Sequence, residues 1–302
     1  MDEPGDGSYR SGYVALVGEP NAGKSTLMNA MLHQKLAIVS PKPQTTRRRT
    51  LGIVGGESFQ MILLDTPGML DPRYPLQRAM MRTVQEALGD ANVACVLLDA
   101  EKARPDRLPI PPAIEEFRGP RIAALNKVDL YKPKQAMLPV LDAIAARGLF
   151  ADVVPISALE GDGIDDLVRV LARSLPEGPP LYPPDQVTDQ PERFFVAEMI
   201  REQVFLRFYE EIPYSVEVEI DDFRERGEGA KDYIASTLFV EQESQKAILI
   251  GRKGAAIRAL GEAAREEIEA FLGRPVFLEL RVKVVPKWRR DETALRRLGY
   301  RA

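Results

Sequence analysis

The sequence contains almost none of the residues that carry cysteine or histidine chemistry. Its 302 residues include one cysteine, Cys95, and one histidine, His33. One cysteine cannot form a disulfide within the chain, and neither a cysteine-based metal site nor a histidine-dependent triad is supported. Because Cys95 lies in the apolar run 93–98, we expect it to be a small core residue. His33 has no partner pattern, and we expect it on the surface.

Long apolar runs are also missing. None approaches the ~18–20 residues that span a bilayer, and Met1 to Gly12 lacks the apolar core of a signal peptide. Together with the scarcity of cysteine, this predicts a cytoplasmic protein. The net charge of −4 does not indicate nucleic-acid binding, but residues 281–302 carry eight Lys or Arg against Asp291 and Glu292.

The strongest motif present is Gly18 to Ser25, which matches the phosphate-binding pattern G-x-x-x-x-G-K-[ST]. It follows the strand-like run 13–17 and precedes the helix formers of 26–32. In that context the loop N–H groups surround phosphate oxygens, Lys24 reaches the β- and γ-phosphates, and Ser25 offers its hydroxyl to Mg²⁺. The predicted nucleotide-binding residues of this loop are Gly18, Glu19, Pro20, Asn21, Ala22, Gly23, Lys24, Ser25 and Thr26.

Two further segments fit the same phosphate site. Ser40 to Arg49 is polar and broken by prolines, so it is predicted to be a mobile loop. The strand-like run 59–64 ends in Asp65-Thr66-Pro67-Gly68. Asp65 can hold Mg²⁺ directly or through water, and the Gly68 N–H can meet the γ-phosphate.

The tetrad Asn126-Lys127-Val128-Asp129 predicts guanine specificity. The Asp129 carboxylate can accept hydrogen bonds from guanine N1–H and N2–H₂, a donor pair that adenine lacks. We expect Asn126 to bond the N7/O6 side and the Lys127 stem to pack along the base. Adenine would leave the carboxylate unpaired and would be rejected.

The pattern of elements predicts two domains of different class. Strands alternate with helices through residues 1–178, which predicts an α/β domain with a mainly parallel sheet, flanking helices and the ligand at the carboxyl ends of the strands. Six prolines within 176–191 indicate a semi-extended linker, placed at 179–191. Residues 192–302 form the second, smaller α+β domain.

The second domain contains a helix–G-x-x-G–helix unit, Gly251 to Gly254, beside strands predicted at 214–220, 233–240 and 276–285. This unit resembles a KH domain (type II-like), whose loop clamps single-stranded RNA. A glycine-capped helix hairpin with a solvated basic face is the structural alternative. The candidate RNA-binding residues are Lys246, Gly251, Arg252, Lys253, Gly254, Arg258, Lys283, Lys287, Trp288 and Arg289.

Taken together, the motifs resemble translation-factor-type GTPases, and the Era family in particular. The resemblance runs from Tyr13 to Tyr300 and is carried by the motifs above, by Ser157-Ala158, by the Gln44–Arg47 loop, by Pro67-Gly68-Met69 and by the tail segments 286–290 and 298–300. It implies GTP/GDP and Mg²⁺ as ligands, with Ser25, Asp65 and Thr46, rather than Thr45, at the metal. It also implies that the Ala158 N–H meets guanine O6, and that Lys24, Thr46 and Gly68 serve catalysis.

The resemblance further implies a monomeric GTP-hydrolysing switch that binds the 3′ end of 16S ribosomal RNA during small-subunit assembly. Met69 stands where other GTPases place a water-positioning glutamine, so slow turnover is expected. Asn21 would then hold a K⁺ ion beside the phosphates. An alternative is a GTP-sensing adaptor in cell-cycle control, held peripherally on the inner face of the cell membrane by its basic tail. A nucleotide kinase is less well supported, because no acceptor site is visible.

Overall fold

The computed structural model describes residues 8–227 and 229–301, which form two compact units. The first contains the residues up to Ala37, then Thr46–Asp71 and Met80–Asp189. The second contains Ile38–Thr45, Pro72–Ala79 and the chain from Gln190 onward. Residues 1–7, 228 and 302, which fall inside the predicted domain bounds, lie outside the described residues.

A six-stranded sheet in the order β2-β3-β1-β4-β5-β6 organises the first unit. Only β2 runs antiparallel to its neighbour, so the predicted α/β domain with a mainly parallel sheet is confirmed. The strands are β1 (Arg10–Gly18), β2 (Thr50–Gly55), β3 (Phe59–Asp65), β4 (Val93–Asp99), β5 (Arg121–Asn126) and β6 (Asp152–Ile156).

Helices cover this sheet because its strands are apolar on both faces. All seven residues of β4 are buried, as the unbroken run Val-Ala-Cys-Val-Leu-Leu-Asp predicts for a central parallel strand. Cys95 is completely buried and His33 is exposed, which confirms both expectations. The helices are α1 (Lys24–Leu32), α2 (Pro75–Asp90), α3 (Leu138–Ala145) and α4 (Ile164–Ser174).

The proline-rich segment predicted as a linker belongs to the first unit as far as Asp189. Gln60 on β3 donates to the Tyr182 carbonyl and accepts from the Leu181 N–H. On β2, the Ile53 N–H donates to the carbonyl of residue 187 over 2.8 Å. Residues 179–189 therefore lie along the sheet and do not form a free spacer.

A three-stranded sheet in the order β7-β8-β9 forms the centre of the second unit. Its antiparallel β7–β8 pair matches the prediction, although β7 begins after a short helix that occupies the first residues of the predicted strand. The elements are α5 (Glu192–Arg207), α6 (Ile212–Ser215), β7 (Glu217–Arg224), β8 (Asp232–Val240), α7 (Glu243–Ile250), α8 (Ala255–Leu272), β9 (Val276–Val284) and α9 (Glu292–Arg297).

Candidate nucleotide-binding site and RNA groove

The phosphate loop connects β1 to α1 at the carboxyl end of the sheet. Gly23 has φ of 96°, and a Cβ there would lie 2.2 Å from the Asn126 amide nitrogen. Glycine is therefore required both by the backbone conformation and by the close approach. The loop is thereby held against the end of β5, as the predicted site requires.

Lys24 projects back along its own loop. Its ammonium donates to the Gly18 carbonyl over 3.3 Å and to the Glu19 carbonyl over 3.0 Å. Burial lowers the pKa of Lys24 to about 8, because its charge is removed from water. An anionic phosphate would compensate this charge better than the two carbonyl dipoles do.

Three oxygen-bearing side chains meet beside the loop. Ser25 Oγ donates to Asp65 Oδ2 over 2.7 Å and lies 2.9 Å from Thr46 Oγ1. Thr46 Oγ1 is 3.4 Å from the same carboxylate oxygen. The hydroxyl at this cluster is therefore that of Thr46, as the resemblance implied over Thr45.

The donor set of Ser25, Thr46 and Asp65 fits Mg²⁺, a hard cation that prefers a few protein oxygens together with phosphate oxygens. Asp65 is completely buried, and its Oδ1 has no hydrogen-bond partner among the described residues. Burial raises the pKa of Asp65 to about 6, although the nearby Lys24 charge opposes this shift. A buried carboxylate with an orphaned oxygen is one that a cation would stabilise.

The loop after β3 lies against the phosphate loop. The Met69 N–H donates to the Gly18 carbonyl over 2.9 Å, which places Gly68 beside the start of that loop. The Met69 side chain packs against the core cluster that includes Val96 and Leu98. Met69 is therefore a packing residue at the position where other GTPases place a water-positioning glutamine.

Asn126 acts as a bridge between two loops. Its amide nitrogen donates to the Ala22 carbonyl over 2.8 Å, and its amide oxygen accepts from the Ala158 N–H over 2.9 Å. Each end of the amide thus makes one bond to the protein, which gives Asn126 the role of positioning the phosphate loop and the loop after β6. The amide has a second N–H and a second lone pair, and direct bonding of Asn126 to the base stays a prediction.

Asp129 and Lys127 are held by neighbouring side chains, of which Ser157 was a predicted site residue whereas Asp99 and Glu101 were not. Ser157 Oγ donates to Asp129 Oδ1 over 2.6 Å. Lys127, in the left-handed region at φ 70°, forms ion pairs with Asp99 at 2.8 Å and Glu101 at 3.1 Å. Burial opposes the Lys127 charge, but the two carboxylates outweigh this and raise its pKa. The Lys127 side chain is thus fixed by Asp99 and Glu101.

Several remaining residues of the predicted site also lie around the loop. Lys102 pairs with Glu19 at 2.8 Å, and Asn21 has φ of 65°. Leu159 follows Ala158 and is 77% exposed, an apolar side chain that sequence reasoning did not single out. Its position directly after Ala158, a predicted site residue, is the one signal in the sequence that could have placed Leu159 near the base site.

A groove of about 590 Å³ opens in the second unit, beside the G-x-x-G loop. Gly251 has φ of 70°, and a Cβ there would lie 2.6 Å from Ala256 Cβ, so the loop needs glycine at its start. Arg252, Lys253 and Arg258 are exposed. The groove is lined by Lys231, Gly254, Ile257, Arg258, Gly261, Glu262, Arg265, Val276, Phe277, Leu278 and Leu280.

The tail residues predicted to bind RNA divide into two kinds. Lys283 and Lys287 are exposed. Trp288 is completely buried, and its indole N–H donates to the Ser215 carbonyl over 2.8 Å. The prediction that Trp288 contacts RNA is therefore wrong for this structure, and Trp288 is a core residue. Arg289 pairs with Glu241 within the second unit, which also lowers its availability.

The architecture and both sites define a class of protein: a P-loop GTPase domain followed by a KH domain. Family models agree, since residues 13–127 match the 50S ribosome-binding GTPase family and residues 211–289 match the KH domain. Among the described residues no helix is long and apolar enough to cross a membrane.

Full-length relatives identify the family. The chain is 43% identical to the GTPase Era of Geobacter metallireducens over 98% of this chain and 99% of that protein. A crystal structure of Era in complex with MgGDPNP and nucleotides 1506–1542 of 16S ribosomal RNA matches with 40% identity and a TM-score of 0.90, covering 97% of this chain and 99% of that one. An Aquifex aeolicus Era variant bound to GDP·AlF4⁻ matches with the same identity and TM-score over 96% and 99%. The chain belongs to the Era family of GTPases, which confirms the predicted resemblance and GTPase activity.

Proposed function

We propose that this GTPase is a nucleotide-dependent switch whose KH domain binds the 3′ end of 16S ribosomal RNA during assembly of the small ribosomal subunit. One observation carries the switch proposal: the hydroxyl of Thr46, which follows the irregular segment 36–45, joins Ser25 and Asp65 in one cluster. A loop residue that ligates the metal only while the γ-phosphate is present would release its segment after hydrolysis.

The residues of this cluster have distinct roles in the proposed cycle. Mg²⁺, when bound, neutralises charge on the β- and γ-phosphate oxygens. Ser25, Thr46 and Asp65 would hold it, and Lys24 would exchange its two carbonyl acceptors for phosphate oxygens. The Gly68 N–H would donate to the γ-phosphate. Binding GTP would thereby compensate the buried charges of Lys24 and Asp65 together.

Guanine would be selected by Asp129 from a position that Ser157 fixes. Ser157 Oγ occupies one lone pair of Oδ1, which leaves the carboxylate able to accept from guanine N1–H and N2–H₂. Asn126 would contribute indirectly, by keeping the Ala158 N–H directed at the position of guanine O6. Adenine would leave the carboxylate without donors.

Slow intrinsic hydrolysis is part of the proposal, because the apolar Met69 side chain packs into the core and cannot orient water. We further propose that a K⁺ ion beside Asn21 supplies the charge that an arginine finger provides elsewhere. Support comes from the position of Asn21 in the phosphate loop, where it is exposed at φ 65° and would lie near the phosphates that this loop is proposed to hold.

The RNA site would be the groove beside Gly254. It combines glycine backbone, apolar side chains for bases and the cations Lys231, Arg258 and Arg265, a combination suited to single-stranded RNA. The relative crystallised with nucleotides 1506–1542 of 16S ribosomal RNA supports the ribosomal 3′ end as the ligand.

Crosslinking to total cellular RNA, followed by sequencing of the footprint, tests the proposal. We expect the reads to concentrate at the 3′ end of 16S ribosomal RNA, and to be lost when Arg252 and Lys253 are both replaced by Ala. A footprint spread evenly over cellular RNA would contradict the proposed target.

Flotation with anionic lipid vesicles tests the alternative of a membrane adaptor. That alternative predicts that the protein floats with the vesicles in a salt-sensitive way without RNA.

A further inference from the structure

The three-stranded sheet carries an aromatic pair on the face opposite α8. Tyr233 on β8 and Phe277 on β9 are direct cross-strand partners, with ring centroids 6.1 Å apart and planes 13° from parallel. Leu280 contacts α8 at Gly261. Because side chains alternate along a strand, Leu278 and Val276 share this covered face with Leu280. Phe277 has the opposite parity and is 55% exposed.

Neighbouring side chains fix the orientation of Tyr233. The guanidinium groups of Arg224 and Arg226 lie 5.8 and 5.4 Å from its ring centroid. Its hydroxyl donates to Glu279 Oε2 over 2.6 Å. The ring is thus held from two sides, and it supports Phe277 in a position where much of the phenyl ring meets solvent.

Phe277 also belongs to the groove beside the G-x-x-G loop. It lines that groove together with Gly254, Arg258 and Lys231, and β9 is the edge strand of the sheet. Because β9 is an edge strand, the Phe277 ring can border both the groove and the sheet face opposite α8. A chain that leaves the groove over β9 would meet Phe277 first and the Tyr233 and Arg226 region next.

We propose that Phe277, backed by Tyr233, is a stacking platform for one base of an RNA strand that continues beyond the G-x-x-G groove, with Arg226 and Lys231 beside its phosphates. The inference rests on the proposed RNA-binding function. A phenyl ring stacks on any base, so the platform would add affinity with little sequence preference. It would extend the binding site beyond the nucleotides that the groove itself accommodates.

Binding of RNA oligonucleotides of two lengths to the full-length protein tests this platform. One oligonucleotide has four nucleotides, and a longer one extends it at either end. We expect Phe277→Ala to weaken binding of the longer RNA about 5- to 150-fold, the range for one lost base–aromatic stack. The short RNA should lose much less, and Phe277→Trp should bind the long RNA at least as well as the unaltered protein. Leu206→Ala, which removes another exposed apolar side chain of the same unit, should change neither affinity.

An abasic nucleotide scanned through the extension gives an independent test. At one position it should weaken binding to the unaltered protein as much as Phe277→Ala does, and should cause no further loss in that variant. Equal losses for short and long RNA would refute the platform and leave Phe277 as part of the groove. A dimer that Phe277→Ala dissociates would also refute it. Failure of the proposed RNA-binding function is distinguishable from failure of the platform, because the unaltered protein would then bind neither RNA.

Discussion

Replacing Asn126 by Ala separates a positioning role from direct recognition of the base. The side chain is 2% exposed and makes two hydrogen bonds, to the Ala22 carbonyl and from the Ala158 N–H. Alanine would leave both backbone groups without their partner. Each unsatisfied buried group costs about 1–3 kcal/mol. Because water can partly satisfy these two groups in the variant, we expect the free energy of unfolding of the GTPase domain to fall by about 2–4 kcal/mol.

The nucleotide affinities should then change without a change in selectivity. Loosening of the phosphate loop and of the Ala158 loop should weaken GTP and 7-deaza-GTP by the same factor, because 7-deazaguanine lacks only the N7 acceptor that a direct Asn126 bond would use. Urea denaturation of the nucleotide-free protein gives the stability, and titration with fluorescent GTP and 7-deaza-GTP analogues gives the ratio of dissociation constants. Unchanged stability combined with a loss confined to GTP would show that Asn126 bonds N7 of the base, and the positioning argument would be refuted.

Three further predictions follow from the two sites. Asp129→Asn should weaken GTP binding about 10- to 100-fold, since one charge-assisted pair is worth about 1.5–3 kcal/mol, and should favour XTP; unchanged GTP affinity would remove the base-recognition argument. Replacing Arg252 and Lys253 by Ala should lower the slope of log affinity for RNA against log salt by roughly 0.7–0.9 per lost phosphate contact, with GTP affinity unaltered. GTP hydrolysis should run faster in K⁺ than in Na⁺ buffer, and Asn21→Ala should remove that difference; equal rates would end the potassium proposal.

The parts of the site that the sequence predicted well depend on consecutive residues. A phosphate loop needs its glycines, Lys24 and Ser25 at fixed spacing, because one turn of backbone must surround the phosphates. Burial could also be inferred at Cys95 from an unbroken apolar run. In each case the physical cause acts within a few residues, so the pattern alone carries the information.

Contacts between distant parts of the chain could not be predicted in this way. Trp288 lies in a strongly basic segment, which favoured an RNA contact, yet its indole N–H pairs with the Ser215 carbonyl 73 residues away. Asn126 matched a base-recognition motif, while the partners of its amide lie in two loops 104 and 32 residues away. Nothing in the residues next to either side chain specifies those partners.

The segment 179–189 shows why composition alone does not distinguish a free linker from a segment that packs on a sheet. Its prolines remove backbone donors, which indicates extended chain, but extended chain can also lie against the open edge of a sheet. β2 is the edge strand, and it uses both kinds of backbone group here: the Ile53 N–H donates to residue 187, and the Leu51 carbonyl accepts from Thr188 Oγ1 over 2.6 Å. The segment therefore covers an edge that would otherwise be open to pairing with another chain. The proline-rich composition suits that cover, because the prolines at 179, 180, 183 and 184 remove backbone donors from part of the segment, which therefore covers β2 without offering a continuous new edge of its own.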